Sequence, residues 1–350
     1  MTHLWVRAET RANERRVGVT PAGVERLIGA GFRVTVERDD TRAFALAEYK
    51  AAGAATAATG AWEHAPSDAI IFGLKELPEG NAPLIHRHIM FGHAFKEQEG
   101  WQTFLGRFQE GGGALYDLEY LVDPDGRRVA AFGYWAGYAG AAMSLLALAA
   151  QQDGTMSPSV KADPTMDGGK LEGLVRRALA DLNPRVIVIG ARGRVGGGAI
   201  ALCEALGCSV TKWDVAETAH GGPFPEILEH DLFLNCILAA PGVPVFVPPA
   251  ALNTRRTLRV IGDIACDPTS DYSPVPLYVA PTSWEEPCVR VAETPPLDIM
   301  AIDNLPSLLP RESSEDFANQ LLPHLLTLDQ IDTGVWGRAF ETFRSQIARL

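Results

Sequence analysis

A chain of 350 residues, 47% of them hydrophobic, carries enough apolar material for two packed cores. Its formal charge of -12, with no basic run longer than Arg15-Arg16 or Arg127-Arg128, excludes the Lys/Arg surface that nucleic acid or an anionic membrane selects. Five cysteines, with no CxxC pair and no histidine at zinc-ligand spacing, exclude a disulfide framework and a zinc module, and they read as small core residues of a reducing compartment. The N-terminal stretch has no apolar core of signal-peptide type, so the expected location is the cytoplasm.

In chain order, HLWVRA (3–8) alternates as a strand, and Thr20-Pro21 offers an N-cap and a first-turn proline for a helix PAGVERLIGAGF closed by Gly29 and Gly31. RVTVERD predicts a strand, LAEYKAAGA a short helix, and DAIIFGLKE, HIMFGHAF and GALYDLEYLVD three further strands. This β-α-β-α-β-β order predicts an α/β domain whose parallel strands share one C-terminal rim. Residues 129–150 are 22 residues without a charge, long enough to span a membrane, but their Ala and Gly content and Gly133, Gly137 and Gly140 favour an interior helix that lets its neighbours approach closely.

Residues 151–170, rich in Gly, Pro, Ser and Asp, read as a surface loop. A second unit follows: the amphipathic helix LEGLVRRALADL, then strand, glycine turn and helix in PRVIVIGARGRVGGGAIALCEALG, then the strand SVTKWD. DLFLNCIL and RVIGDIA predict two more strands, and 315–350 reads as helical. The expected organisation is two Rossmann-like α/β domains with parallel sheets flanking an active-site cleft. The catalytic domain would be 1–131 plus 315–350, and the NAD-binding domain 132–314.

Two groups of residues carry chemistry. Gly190, Gly193 and Gly196 form GxxGxxG between an apolar strand and a helix, the context in which glycines allow a tight turn and present N–H groups to a pyrophosphate. Asp214 ends the next strand 24 residues past Gly190, near the spacing at which a carboxylate meets ribose hydroxyls, and it favours NAD over NADP. In the first unit, Lys75 and Glu76, His93 and Lys96, and Glu119 stand at the ends of apolar strands. Desolvation lowers a lysine pKa and nearby carboxylates raise it, a balance that can yield a general base; the same residues could equally solvate strand ends. Arg11, Arg15, Arg16, Arg127 and Arg128 suit a substrate carrying carboxylates.

The segments RAETRANERRVGVTP, GLKELPE, FGHAFKEQEGWQ, GRRVAAFGYWAG, IGARGRVGGGAI, KWDVAETAHGGPF and IDNLPSLLPRESS resemble, in one order over nearly the whole chain, the NAD-dependent, lysine-forming saccharopine dehydrogenases. These are relatives of alanine dehydrogenase and transhydrogenase. The resemblance implies oxidative cleavage of saccharopine to L-lysine and 2-oxoglutarate, and the reverse condensation, with NAD taking the hydride and no metal. It further implies Lys75 as the base for the secondary amine, His93 as the acid-base group of imine hydrolysis, and Glu76 and Glu119 as acidic neighbours that tune them. Arg16, Gln98, Arg128 and Phe132 match substrate binders. Arg127, Gly193, Arg194, Asp214, Thr218, Leu238, Ile264, Ile302, Asp303, Asn304 and Leu305 match NAD contacts.

Departures accompany the resemblance. In fungal members a cysteine follows the GxxGR of the glycine turn and pairs with the one in NCI; here Val195 stands in that place, so Cys236 lacks this partner. Leu238 and Asn304 replace a tyrosine and a histidine, and Arg11 a lysine. The alternatives are an alanine-dehydrogenase-like or other N-(carboxyalkyl) amino acid dehydrogenase, and a catalytically silent NAD-binding protein. The expected partners are small-molecule substrates, with no nucleic acid or membrane, in a monomer or dimer.

Overall fold

The computed structural model describes residues 1–11, 14–152, 154 and 166–350. It divides into two compact units, Met1–Ala131 with Pro310–Leu350, and Phe132–Leu309. Most of the stretch read as a surface loop at 151–170 lies outside the described residues.

The first unit opens with β1 (His3–Val6), α1 (Pro21–Gly29), β2 (Arg33–Glu37), α2 (Leu46–Ala51), β3 (Ala55–Ala57), β4 (Ile70–Phe72), β5 (Arg87–Met90), α3 (Trp101–Gly111) and β6 (Ala114–Asp117). All six strands pair in parallel in the order β3-β2-β1-β4-β5-β6. Thr20 caps α1 by accepting the Gly23 amide at 3.2 Å, and Pro21 occupies the first turn. In β1 all four residues are buried rather than alternately exposed, because a central parallel strand is covered on both faces.

Three sequence expectations are corrected. β3 and α3 join the predicted order: a three-residue ATA strand carries too little pattern, and two glycines blur the helix period in WQTFLGRFQEG. β4 stops at Phe72, β5 at Met90 and β6 at Asp117, so Lys75, His93 and Glu119 lie two or three residues past strand ends rather than on them.

The second unit contains α4 (Gly133–Gln152), α5 (Gly168–Leu179), β7 (Arg185–Ile189), α6 (Arg194–Ala205), β8 (Ser209–Trp213), α7 (Val215–Thr218), α8 (Pro225–Leu228), β9 (Leu232–Asn235), β10 (Val260–Asp263), β11 (Cys288–Glu293) and β12 (Pro296–Met300). Its sheet runs β11-β12-β10-β9-β7-β8, parallel except for β11. The period of two is visible in the packing: Val186 and Val188 of β7 enter the core under α4, α5 and α6, while Ile187 and Ile189 enter the core on the opposite face. Each such side chain stabilises the fold by roughly 1.5–3 kcal/mol.

Residues Gly137 to Ala150 of α4 are buried within this unit, as expected of an interior helix. Among the described residues no helix is long and apolar enough to cross a membrane. α4 lies against α6 so closely that a Cβ on Gly137 would stand 1.8 Å from the Val195 carbonyl oxygen, and one on Gly198 1.8 Å from that of Tyr134.

The chain then returns to the first unit as α9 (Pro310–Leu325) and α10 (Gly334–Ile347), so the terminal helical region starts at Pro310, five residues earlier than the sequence pattern indicates. Ser314 of α9 accepts the Val17 amide at 2.9 Å. α10 covers the edge strand β6, with Phe340 stacked on Tyr116 at 5.9 Å and Trp336 edge-on to the same ring.

Candidate active site

Parallel pairing brings the C-terminal ends of β1, β4, β5 and β6 to one rim, and the segments leaving them carry the ionisable residues of the first unit. After β1 come Arg7, Glu9, Arg11, Glu14 and Arg16; after β4, Lys75 and Glu76; after β5, His93, Lys96 and Gln98; after β6, Glu119. Lys75, Glu76, His93, Glu119, Arg16 and Gln98 are therefore brought to the same edge.

Lys75 is half-buried and, among the described residues, has no carboxylate within ion-pair distance. Its pKa is lowered, chiefly by burial and then by the Arg16 charge with a contribution from Arg11, while Glu14 and Glu76 oppose the shift. The resulting amine is more easily neutral than a solvated lysine, the state a general base needs. Glu76 faces Arg11 at 3.6 Å through one oxygen, and its other oxygen is buried without a hydrogen bond.

His93 is exposed and has φ +50, the left-handed region that non-glycine residues rarely adopt and that concentrates at functional positions. Desolvation lowers its pKa and Lys75 and Arg11 add to this, against Glu76 and Glu119. Four of the groups at the rim thus act on this imidazole. Glu119 takes the Lys96 ammonium at 2.8 Å, which raises the lysine pKa, and Gln98 accepts the Lys96 amide at 2.9 Å. Beneath them Asp117 is buried, accepting the Glu119 and Gly92 amides at 2.8 and 3.2 Å, and burial pushes its carboxyl up to about 6 against those bonds.

Arg16 is buried rather than exposed: Nε and Nη2 meet Glu14 at 2.9 and 2.6 Å. Burial raises the Glu14 pKa, and the Arg16 hydrogen bonds and charge outweigh it, so the carboxyl stays below its ordinary range. Arg127 and Arg128 are exposed on the turn closed by the Asp123 amide on the Arg127 carbonyl at 2.9 Å, and the Arg128 charge reaches Lys96. Phe132 begins the second unit and is half-buried.

In the second unit β7 runs into Gly190, whose φ of +92 an L side chain would not tolerate, and whose amide bonds the Trp213 carbonyl at 3.0 Å. Gly193 is the N-cap of α6 and has no side chain to bond the first-turn amides, and Gly196 packs in that first turn on the Gly190 carbonyl. Arg194 is exposed beside them. The uncapped N-terminus of a twelve-residue helix offers donors and a positive dipole end to a pyrophosphate. Asp214, directly after β8, accepts the Arg192 amide of that same turn at 2.9 Å, and Thr218 bonds the Asp214 carbonyl at 3.0 Å. These residues fit a dinucleotide.

Leu238 follows β9 and is 65% exposed. Ile264 follows β10 and Ile302 to Leu305 follow β12, so both segments leave the same C-terminal edge of the sheet as the glycine turn. Ile302 and Leu305 are buried, Asp303 is exposed, and Asn304 has φ +69. Among the described residues no group of three His, Cys, Asp or Glu could hold a metal.

Sequence reasoning missed several buried charged groups. Arg7, Glu9 and Glu14 precede or flank the singled-out arginines, and Asp263 accepts from Asn235 and Tyr278, both at 2.9 Å, at the edge that carries Ile264. An acid two residues from an arginine, as in Glu14 and Arg16, was the available signal.

The sequence model of the alanine dehydrogenase/PNT N-terminal domain matches residues 5–139. The chain is 45% identical to the Schizosaccharomyces pombe protein named saccharopine dehydrogenase (NAD(+), L-lysine-forming), covering 99% of each. It is 45% identical to the Neurospora crassa protein of that name, over 100% of this chain and 97% of the relative, and 43% identical to the Candida albicans one, over 99% and 97%. Among solved structures, an L-alanine dehydrogenase superposes with a TM-score of 0.68 at 19% identity, covering 94% of this chain and 90% of that one. A Sinorhizobium meliloti transhydrogenase gives 0.60 at 18%, covering 94% and 95%. These two likenesses establish the shared two-sheet α/β fold. The fungal relatives, 43–45% identical over nearly the whole of this chain, show that it belongs to the family of NAD-dependent, L-lysine-forming saccharopine dehydrogenases.

Proposed function

We propose that the chain catalyses the NAD-dependent oxidative cleavage of saccharopine to L-lysine and 2-oxoglutarate, and the reverse reductive condensation. The observation that carries the mechanism is Lys75, a half-buried amine with a lowered pKa standing at one rim with His93, Arg16 and Glu119.

Residues 1–131 with 310–350 supply the acid-base groups and residues 132–309 hold the dinucleotide. The Gly190 turn and the first turn of α6, with Gly193, Arg194 and Gly196, hold the pyrophosphate, and Asp214 takes the ribose hydroxyls with Thr218 beside it. Leu238, Ile264 and the run Ile302 to Leu305, Asp303 and Asn304 included, complete that unit's cofactor contacts. When bound, NAD supplies the hydride acceptor.

Neutral Lys75 accepts the proton of the substrate's secondary amine as the adjacent C–H is oxidised, giving an imine. His93 then acts as acid and base while water adds to the imine carbon and the C–N bond breaks, releasing 2-oxoglutarate and the lysine amine. Arg128 and Arg16 bind substrate carboxylates, charge-assisted contacts that suit a substrate with three of them, with Gln98 beside them. Glu76 and Glu119 keep the two acid-base groups near working pH. The negative net charge and the lack of a basic run in the sequence argue against a nucleic-acid partner, and the enzyme is read as cytoplasmic and as a monomer or dimer.

The test is NADH formation with saccharopine, and NADH consumption with L-lysine plus 2-oxoglutarate, against L-alanine or pyruvate plus ammonia. Turnover of the second set without the first would overturn the reading.

A further inference from the structure

The main chain on both sides of the Lys75 Cα is held by one buried ion pair. Glu9 accepts the Leu74 amide at 2.6 Å and the Lys75 amide at 3.0 Å. Arg7 donates through Nη2 to the Lys75 carbonyl and reaches the Glu76 carbonyl at 3.5 Å. Arg7 Nη1 lies 3.6 Å from Glu9 Oε2, and the two side chains are 1% and 7% exposed. We propose that Arg7 and Glu9 are positioning residues for the reaction, a clamp that fixes the peptide carrying Lys75 and so the direction in which its amine is presented; this rests on Lys75 being the base.

Three observations favour this over a purely structural pair. Burying an ion pair is a poor way to gain stability, because desolvation offsets most of the attraction. Besides one bond from Arg7 Nη1 to the Ala8 carbonyl at 3.0 Å and a contact of Nη2 with Met90 Sδ at 3.9 Å, its side-chain hydrogen bonds fall on one short segment. They accept on the N-terminal side of the Lys75 Cα and donate on the C-terminal side, just past the last ladder-type bond, from the Phe91 amide to the Leu74 carbonyl at 3.1 Å. The sequence also makes room for it: a Cβ on Gly73 would stand 2.3–2.5 Å from Arg7 Nε, Cζ and Nη2. A lysine has a long, freely rotating stem, so the geometry of proton transfer depends on where its Cα–Cβ bond is aimed.

Glu9→Gln replaces one accepting oxygen by an amide donor that faces an N–H, breaking half of the Glu9 contact. The expected result is a fall in kcat for saccharopine oxidation of about 10- to 100-fold, the scale of a misplacement near 1 Å, with the NAD KM unchanged. The deciding comparison is Lys75→Ala against Lys75→Ala/Glu9→Gln, with and without ethylamine as a replacement base. A clamp acting through Lys75 leaves the two rates equal in both conditions. A further loss equal to that in the wild-type background overturns the proposal. Full activity of Lys75→Ala alone would instead remove Lys75 as the base and the proposal with it. Where thermal denaturation shows that Glu9→Gln has not folded, Gly73→Ala displaces the Arg7 half and the same comparison applies.

Discussion

Arg16 grips Glu14 with two nitrogens, Nη2 at 2.6 Å from Oε2 and Nε at 2.9 Å from Oε1, and both side chains are buried beside Lys75. The two charges act on Lys75 in opposite senses, Arg16 lowering its pKa and Glu14 raising it. Glu14→Gln therefore moves the acid limb of the kcat/KM profile for saccharopine to lower pH, and Arg16→Met moves it to higher pH. Each also breaks this buried ion pair and costs stability, roughly 3 kcal/mol or more where the remaining group stays charged. Shifts of the same sign in the two profiles would detach the pair from the base.

Asp117 supplies a pH dependence of stability whose sign is opposite to that of an ordinary salt-bridged carboxylate. Burial raises its folded pKa from 3.8 to about 6, so the folded state disfavours the anion. The penalty is fully present above pH 6 and disappears as pH falls toward 3.8; its size is roughly 3 kcal/mol for a shift of this magnitude. Asp117→Asn removes the titration, although it forfeits one of the bonds from Gly92 and Glu119. The unfolding free energy of the wild type relative to this variant should fall by about 2–3 kcal/mol between pH 4 and pH 8. Chemical denaturation at the two pH values checks it, and a constant difference would sink it.

What could be read from the sequence follows from how each element is buried. RVIVI, LFLN and VIGD are central parallel strands covered on both faces, so they appear as apolar runs with no alternation to misread. β11 and β12 were not legible: CVRVAE is an edge strand with mixed exposure, and its hairpin with PLDIM is interrupted by Pro295-Pro296 and a register shift at Arg290 and Ala292. At the rim, Lys75 and His93 stood out as charges on apolar runs, though only the family resemblance gave them roles. Arg7 and Glu9 did not, because a charge after HLWV reads as a solvated strand end. Their hydrogen-bond partners on the Leu74 and Lys75 main chain lie more than sixty residues away in the chain.

The packing of α4 on α6 makes a paired prediction on neighbouring glycines. A Cβ at Gly198 would stand 1.8 Å from the Tyr134 carbonyl oxygen and 3.0 Å from the Tyr138 nitrogen, so the helices must separate. Gly198→Ala should cost about 3 kcal/mol or more, at the upper end of overpacking effects. A Cβ at Gly197 meets nothing within 4 Å, and Gly197→Ala should be neutral or stabilise by up to about 1 kcal/mol through helix propensity. Urea denaturation without cofactor separates the two, and equal costs would mean that α4 and α6 are not in this close register.

Asp214 makes the last prediction, on the choice of cofactor. It follows β8 directly, caps α7 and accepts the Arg192 amide at 2.9 Å, which ties its carboxylate to the glycine turn. In our proposal this carboxylate accepts hydrogen bonds from the ribose hydroxyls and would repel a 2'-phosphate. Asp214→Ser keeps an oxygen for the cap while removing the charge, so the helix start should survive. The ratio of kcat/KM for NADP to that for NAD should then rise at least about ten-fold, mostly by relief of repulsion, which corresponds to about 1.4 kcal/mol. Steady-state rates with both cofactors at saturating saccharopine measure it. An unchanged ratio in a variant with wild-type circular dichroism would place the ribose elsewhere and leave Asp214 as a helix cap.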